Sequence, residues 1–207
     1  MKPEYVLPDR IEKRSMEIIE QELGDRKLAD DIKPVVLRAI HTTADFDYYD
    51  NMCFSENVIE HAKNILKKGA VIVTDTNMTK SGINKKALAR LGCEAVCFMA
   101  DSDVAERAEK NGTTRASASV DKASGLTRPV IYAVGNAPTA LIRLCEHIEN
   151  GTFIPELVIG VPVGFVNVVQ SKEMIMKTGV PYIVARGRKG GSNVAAAICN
   201  ALLYMTK

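Results

Sequence analysis

Apolar residues recur at helical spacing through the first third of the chain. Residues 9–23 carry one such stripe, and residues 29–41 carry another with Pro34 in the first turn, where proline is tolerated. Residues 55–69 form a third stripe, with Ser55 as a possible N-cap. We therefore expect an N-terminal helical segment.

From residue 70 onward the pattern changes to short apolar runs separated by helical stretches. The runs cover residues 70–74, 94–100, 129–134, 157–163 and 181–185. Short runs that alternate with helices are typical of an α/β fold. We expect a doubly wound, mainly parallel sheet of about five strands, with helices on both faces.

Length and charge agree with one globular domain. Neither a linker-like tract nor a shift in composition divides the 207 residues, so we treat residues 1–207 as a single domain. The formal net charge of +2 gives no reason to expect a nucleic-acid partner. No apolar run approaches the roughly 20 residues of a membrane span, and the N-terminus lacks a signal-peptide pattern. We expect a cytoplasmic protein without a membrane partner.

The cysteines give no sign of a cofactor site. There are five, irregularly spaced, and none forms a CxxC pair. This pattern favours small buried thiols in a reducing compartment over a disulfide framework or a metal centre. We expect no metal ligands among them.

Four glycine-containing loops follow predicted strands, at the edge where open α/β sheets bind ligands. In "GNAPTAL", Asn136 can cap a helix and Pro138 suits its first turn, which leaves free backbone amides that attract anions. "GRKGGSNVAAA" has the same form and adds the basic residues of "RGRK". With Arg115 in "GTTRAS", these loops favour a pocket for a ligand with several carboxylates or phosphates. Ordinary strand-to-helix turns are the alternative.

Motifs for several other chemistries are missing from the sequence. Neither GxGxxG, GxxxxGK[ST] nor GxSxG occurs. A nucleotide-dependent α/β enzyme stays open as an alternative, although its phosphate loop is absent. Asp75 and Thr76 follow the first predicted strand, where they either contact a ligand or cap the next turn.

One of the three histidines stands out. His61 and His147 fall within helical stretches and are interpreted as structural or solvated. His41 lies at the end of the second predicted helix, where free carbonyl groups favour an imidazolium ion. Asp45 and Asp47 follow it, where they either raise its pKa or fix its tautomer, or only face water. His41 is therefore a candidate proton donor near neutral pH.

Several segments together resemble one known family. "RAIHTTADFDY", "TDTNMTKSGIN", "GTTRASASV", "GNAPTAL", "GVPVGFV" followed by "SKE", and "GGSNVAAA" occur in order and with matching spacing. They are similar to the precorrin-8X methylmutases, corrin-ring isomerases of cobalamin biosynthesis. The resemblance runs from about residue 10 to the end of the chain.

The resemblance implies a reaction and an assembly. Family members move a methyl group from C11 to C12 of the macrocycle, formally a suprafacial 1,5-sigmatropic shift, to give the cobyrinate or hydrogenobyrinate skeleton. No cofactor is consumed, and cobalt, where present, belongs to the tetrapyrrole substrate. Members are homodimers with an α/β fold and an active site near the dimer interface. "HTTADFDY" is more similar to the cobalt-containing branch, whereas "VARGRKGGSN" mixes features of both branches.

The resemblance also implies site residues. The family's proton-transferring histidine corresponds to His41, its first-helix serine to Ser15, and its arginine three residues before the histidine to Arg38. The expected substrate contacts are Ser15, Arg38, Thr42, Asp75, Met78, Ser81, Gly82, Arg115, Asn136, Ala137, Pro138, Thr139, Gly190 and Ser192. A non-catalytic corrinoid carrier is the alternative, because a carrier would bind the ring without needing His41.

Overall fold

A computed structural model of the chain describes residues 4–207, which contain eleven α-helices and six β-strands. A 3-10 turn, Pro8–Arg10, precedes the first helix. The first half comprises α1 (Ile11–Leu23), α2 (Lys33–Thr43), α3 (Tyr48–Asn51), β1 (Met52–Phe54), α4 (Val58–Lys67), β2 (Val71–Thr74), α5 (Asn77–Gly82), α6 (Lys85–Arg90) and β3 (Glu94–Val96). The second half comprises α7 (Ser102–Lys110), α8 (Arg115–Ala123), β4 (Val130–Val134), α9 (Pro138–Glu149), β5 (Leu157–Gly160), α10 (Val168–Ile175), β6 (Tyr182–Ala185) and α11 (Ser192–Met205).

The strands form one sheet in the order β1-β6-β5-β4-β2-β3. Five strands are parallel, and the predicted mainly parallel α/β sheet is confirmed. The sixth, β1, was not predicted; it pairs antiparallel with β6, from Met52 opposite Ala185 to Phe54 opposite Ile183. Three residues between two helices are too few to show an alternating pattern. The strand order reverses between β2 and β4, which makes their carboxyl ends the topological switch point.

Alternate residues of the central strands face two separate hydrophobic clusters. Along β4, Ile131 and Ala133 pack with helices α2, α4 and α11, whereas Tyr132 and Val134 pack with α8, α9 and α10. This period of two buries both faces of the sheet. The expected helices on both faces are therefore present.

Two further features of the sequence can be checked against the described residues. Asn57, with a φ of 54°, precedes α4 without a side-chain cap, so the expected N-cap at Ser55 is wrong. The Ser55 hydroxyl instead accepts a hydrogen bond from the Tyr182 amide at 2.9 Å, which ties β1 to β6. Between residues 4 and 207, no helix is both long and apolar enough to cross a membrane.

Candidate active site

His41 lies in the last turn of α2 and is exposed to solvent. Its Nδ1 atom is 2.7 Å from the hydroxyl oxygen of Ser15, which projects from the adjacent helix α1. Both residues line a cavity of about 360 Å³ whose walls are largely apolar, with Ile11, Ile18 and Phe46 among them. Ser15 and His41, both expected as site residues, are thus brought into contact from positions 26 residues apart.

The segment after His41 is tied to the loop that follows β6. The Lys189 ammonium group lies 2.6 Å from carboxylate oxygens of both Asp45 and Asp47. The hydrogen bond from Lys189 lowers the pKa of the Asp45 carboxyl below its ordinary value. The two carboxylates therefore pair with Lys189, whereas Ser15 is the residue that contacts the imidazole ring. The ion pairs also bring the end of α2 to the carboxyl edge of the sheet.

Asp75 occupies the switch point of the sheet. Its side chain is 1% exposed, and its two oxygens accept hydrogen bonds from the amides of Gly135, Asn136 and Ala137 at 2.7–2.9 Å. Burial raises the pKa of this carboxyl, and the three amide bonds oppose the shift. The expectation that these amides are free for a substrate anion is corrected, because a carboxylate of the protein already fills the position.

The N-terminus of α11 packs against the loop that carries Gly135, beside the buried Asp75 carboxylate. Thr76, the N-cap of α5, places its hydroxyl 2.8 Å from that of Ser192. A Cβ atom on Gly135 would lie 2.8 Å from the Ser192 Cα, and one on Gly190 would lie 2.0 Å from the Val161 carbonyl oxygen. Glycine is therefore required at both positions for the loops to meet. No side chain caps α11.

The remaining expected contacts are spread over a wider area. Arg38 pairs with Glu12 and stacks 4.7 Å from the Tyr204 ring, in a separate groove of about 660 Å³ on the other side of α1. It therefore lies outside the His41 cavity. Arg115 is exposed at the start of α8, where the preceding Thr114 hydroxyl is 2.9 Å from that of Thr139.

The other expected contacts lie in three groups. Thr42 is half-buried next to His41. Met78 is 71% exposed in α5, with Ser81 and Gly82 following it; Gly82 packs closely against Ala196. Pro138 begins α9, as predicted.

The other two histidines have structural partners. The Nε2 atom of His61 is 2.8 Å from the Glu156 carbonyl oxygen, and His147 lies 2.8 Å from both Asp121 and Thr152. Four of the cysteines are buried, Cys53 is half-buried, and all five are free thiols. Among residues 4–207, no three His, Cys, Asp or Glu side chains lie where they could hold one metal ion.

Lys172 is a residue whose role the sequence reasoning missed. It lies on α10 with its side chain 0% exposed, and its ammonium group donates to the carbonyl oxygens of Gly187 and Lys189 at 2.8 and 2.9 Å. Burial lowers the pKa of Lys172 from its ordinary 10.5 to about 8. A signal was present, because Lys172 shares the buried face of its helix with Val168 and Ile175 at helical spacing.

These features define an α/β enzyme whose site combines an imidazole, hydroxyl groups, an apolar cavity and basic residues at the carboxyl edge of the sheet. Its sequence matches the precorrin-8X methylmutase profile over residues 10–205. The chain therefore belongs to the precorrin-8X methylmutase family, and it is an isomerase.

Individual relatives show the same likeness. The cobalt-precorrin-8 methylmutase of Leptospira interrogans is 43% identical, with 95% of this chain and 93% of the relative covered. That of Salmonella typhimurium is 44% identical, with 95% of each chain covered. The precorrin-8X methylmutase of Pseudomonas aeruginosa is 34% identical, with 93% of each chain covered. The crystal structure of the precorrin-8X methylmutase from Thermus thermophilus superposes with a TM-score of 0.87 at 40% identity, over 95% of this chain and 97% of that one.

We expect the Lys172→Met variant to reveal the cost of burying this charge. Between pH 8 and 10.5 the unfolded wild-type chain keeps a proton on Lys172 that the folded protein has lost, so wild-type stability rises with pH relative to the variant. At about 1.4 kcal/mol per pH unit, the difference in unfolding free energy should change by roughly 3 kcal/mol between pH 7 and pH 11. Urea unfolding of both proteins across that range measures it.

The matched control for this prediction is Lys177→Met, which removes an exposed lysine just beyond the same helix. All other groups titrate alike in these proteins and cancel in the comparison. A stability difference between wild type and Lys172→Met that stays flat with pH would contradict the lowered pKa.

Proposed function

We propose that the protein moves a methyl group from C11 to C12 of cobalt-precorrin-8, giving the cobyrinate skeleton in cobalamin biosynthesis. The observation that carries the proposal is the Ser15–His41 pair at the mouth of an apolar cavity. Family membership supports the reaction class. The cobalt-containing substrate is favoured because the relatives at 43% and 44% identity are cobalt-precorrin-8 methylmutases, whereas the precorrin-8X methylmutase named above is 34% identical.

In this proposal His41 transfers a proton at the macrocycle. With Nδ1 held by the Ser15 hydroxyl, Nε2 is the nitrogen that remains for the substrate. A proton or hydrogen bond from Nε2 draws electron density through the conjugated ring and weakens the bond from C11 to the methyl group. The methyl group forms its new bond to C12, and the proton returns to His41. The shift is internal to the substrate, so we propose that no cofactor takes part and that cobalt belongs to the substrate.

Substrate carboxylates need partners that the protein does not already use. In the described part of the chain, Arg115 and Arg188 have no carboxylate partner within 4 Å, unlike Arg38, which pairs with Glu12. Guanidinium groups bind carboxylates through two parallel hydrogen bonds. The uncapped N-terminus of α11 adds an environment that favours anions. We therefore assign Arg115, Arg188 and the Gly190–Ser192 turn to the carboxylate arms of the substrate.

His41→Ala is the variant that tests this function. General acid–base groups contribute about 10²–10⁴-fold to rate, so we expect kcat for cobalt-precorrin-8 to fall by at least about 100-fold while the protein still binds it. The change in absorbance as the ring isomerises measures turnover. His61→Ala is the control, since His61 contacts a backbone carbonyl and is not among the residues that line the cavity. Near-normal turnover by folded His41→Ala would overturn the proposed role. Binding without turnover by the wild type would favour a corrinoid carrier.

Ser15→Ala should have a smaller effect of the same kind. Loss of the hydroxyl leaves the imidazole in place but frees its ring to rotate, so the proton is held less often in the productive orientation. We expect kcat to fall about tenfold, with KM changed by less than about twofold because Ser15 orients His41 and carries no charge for the carboxylates. A variant with unchanged kcat would show that the Ser15–His41 contact does not serve turnover.

We also propose that the active site is completed in a homodimer. The cavity of about 360 Å³ lies at the low end of the range that holds drug-sized ligands, and a corrin ring with its carboxylate arms is larger. Exposed apolar side chains line it, including Ile11 at 55% and Ile18 at 37% exposure. A second subunit over this face would enlarge and close the cavity.

Sedimentation equilibrium measures the assembly directly. We expect a mass of twice the 22.6 kDa chain at micromolar concentration. Ile11→Glu should shift the equilibrium toward the monomer, because burying an unpaired carboxylate in an apolar interface is unfavourable. A wild-type protein that sediments as a monomer at all concentrations would exclude this arrangement.

A further inference from the structure

We propose that Lys172 is a positioning residue for substrate binding, because its ammonium group holds the loop 186–191 in the shape that presents Arg188 at the active site. The loop joins β6 to α11 and is called the basic loop below. This inference rests on the proposed function, which supplies the substrate carboxylates that the loop would bind.

Three consecutive carbonyl groups of the basic loop are held from within the protein. Those of Gly187 and Lys189 accept hydrogen bonds from Lys172, and that of Arg188 accepts one from the Gly164 amide at 3.1 Å. Hydrogen bonds to successive carbonyls restrict the rotation of the peptide groups between them. The Lys172 ammonium supplies two of these three bonds, and the amides of Arg186 and Gly191 anchor the ends of the loop to the carbonyls of Asn51 and Val161.

The side chains of the same loop point outward and are also fixed. Arg186 pairs with Glu173, the residue after Lys172 on α10, at 2.9 Å. Lys189 pairs with Asp45 and Asp47, four and six residues after His41. Arg188 lies 5.4 Å from the Phe165 ring and makes no ion pair within residues 4–207. Arg188 is therefore the basic side chain of this loop that is available to a ligand, because Arg186 and Lys189 are already paired with carboxylates.

The environment of Lys172 argues against a purely packing role. No carboxylate lies within ion-pair distance of it in the described chain, and burial is the sole cause of its lowered pKa. A buried charge without an opposite charge is costly, and an apolar side chain of similar size would avoid that cost. Among residues 4–207, the hydrogen-bond partners of the ammonium group are the two carbonyl groups of the basic loop.

The experiment measures cobyrinate binding by absorbance titration, together with KM and kcat for cobalt-precorrin-8. Lys172→Met keeps an unbranched side chain of nearly the same length and removes its donors. We expect its Kd and KM to rise at least tenfold and its kcat at saturation to stay within about threefold, because the Ser15 hydroxyl on α1 still orients His41. Lys177→Met is the control and should change each value by less than twofold.

A second variant perturbs the same contact from the loop side and leaves the core untouched. Gly187 has a φ of 76°, and a Cβ atom there would meet no other atom within 4 Å, so Gly187→Ala strains only the backbone of the basic loop. Gly179, with a φ of 80° and equally open surroundings, gives a control of matched strain. Gly187→Ala should raise Kd severalfold, and Gly179→Ala should leave it unchanged.

The outcomes separate this inference from the proposed function. A wild-type protein that neither binds cobyrinate nor turns over cobalt-precorrin-8 overturns the proposed function, and this inference falls with it. A wild type that does both, with unchanged Kd and KM in folded Lys172→Met, overturns the inference alone. If Lys172→Met does not fold, Gly187→Ala decides: a Kd equal to that of Gly179→Ala overturns the positioning role.

Discussion

The Asp75 carboxylate, with three backbone amides around it, fixes the point where the strand order of the sheet reverses. Open α/β sheets ordinarily bind their ligands in this crevice, where a helix N-terminus attracts an anion. Here the anion is part of the protein, and the amides of Gly135–Ala137 are used to compensate its burial. Because the crevice is already filled, the places left for a ligand lie toward β6, at the N-terminus of α11 and beside His41.

A series of contacts between residues distant in sequence connects the switch point of the sheet to the end of α2, where His41 lies. The loop containing Asp75 meets α11 through the hydroxyls of Thr76 and Ser192, and the basic loop leads into the same turn. Lys189 of that loop then reaches Asp45 and Asp47, across 142 residues of sequence to the latter. The end of α2 is therefore held from the sheet side by an ion-pair cluster and from the solvent side by Ser15 of α1. An imidazole positioned in this way needs little reorganisation to act.

The parts of the structure that follow from local pattern could be predicted, and the parts that depend on distant partners could not. The five parallel strands and most helices are visible as runs of apolar residues, and glycine and proline mark their ends. The three-residue β1 exists only because β6 offers an edge to pair with. Likewise, the sequence leaves open whether Asp75 contacts a ligand or caps a turn, and it offers Asn136 as a cap for α9, since nothing near either residue reveals the hydrogen bond between the Asn136 amide and Asp75. Arg38 and His41 lie one turn apart on α2, but α1 packs between their side chains. Arg38 therefore pairs with Glu12 in one cavity, and His41 contacts Ser15 in the other.

Lys172 shows why a feature that lowers stability can serve a binding site. Its ammonium group has no opposite charge nearby, so its burial opposes folding at neutral pH. The same group donates two of the three hydrogen bonds that fix consecutive carbonyls of the basic loop. A neutral donor would bind those carbonyls more weakly, because hydrogen bonds from charged groups are roughly twice as strong. The charge therefore gives the loop a rigidity that an apolar core residue would not supply, and a rigid loop loses less entropy when it binds a carboxylate.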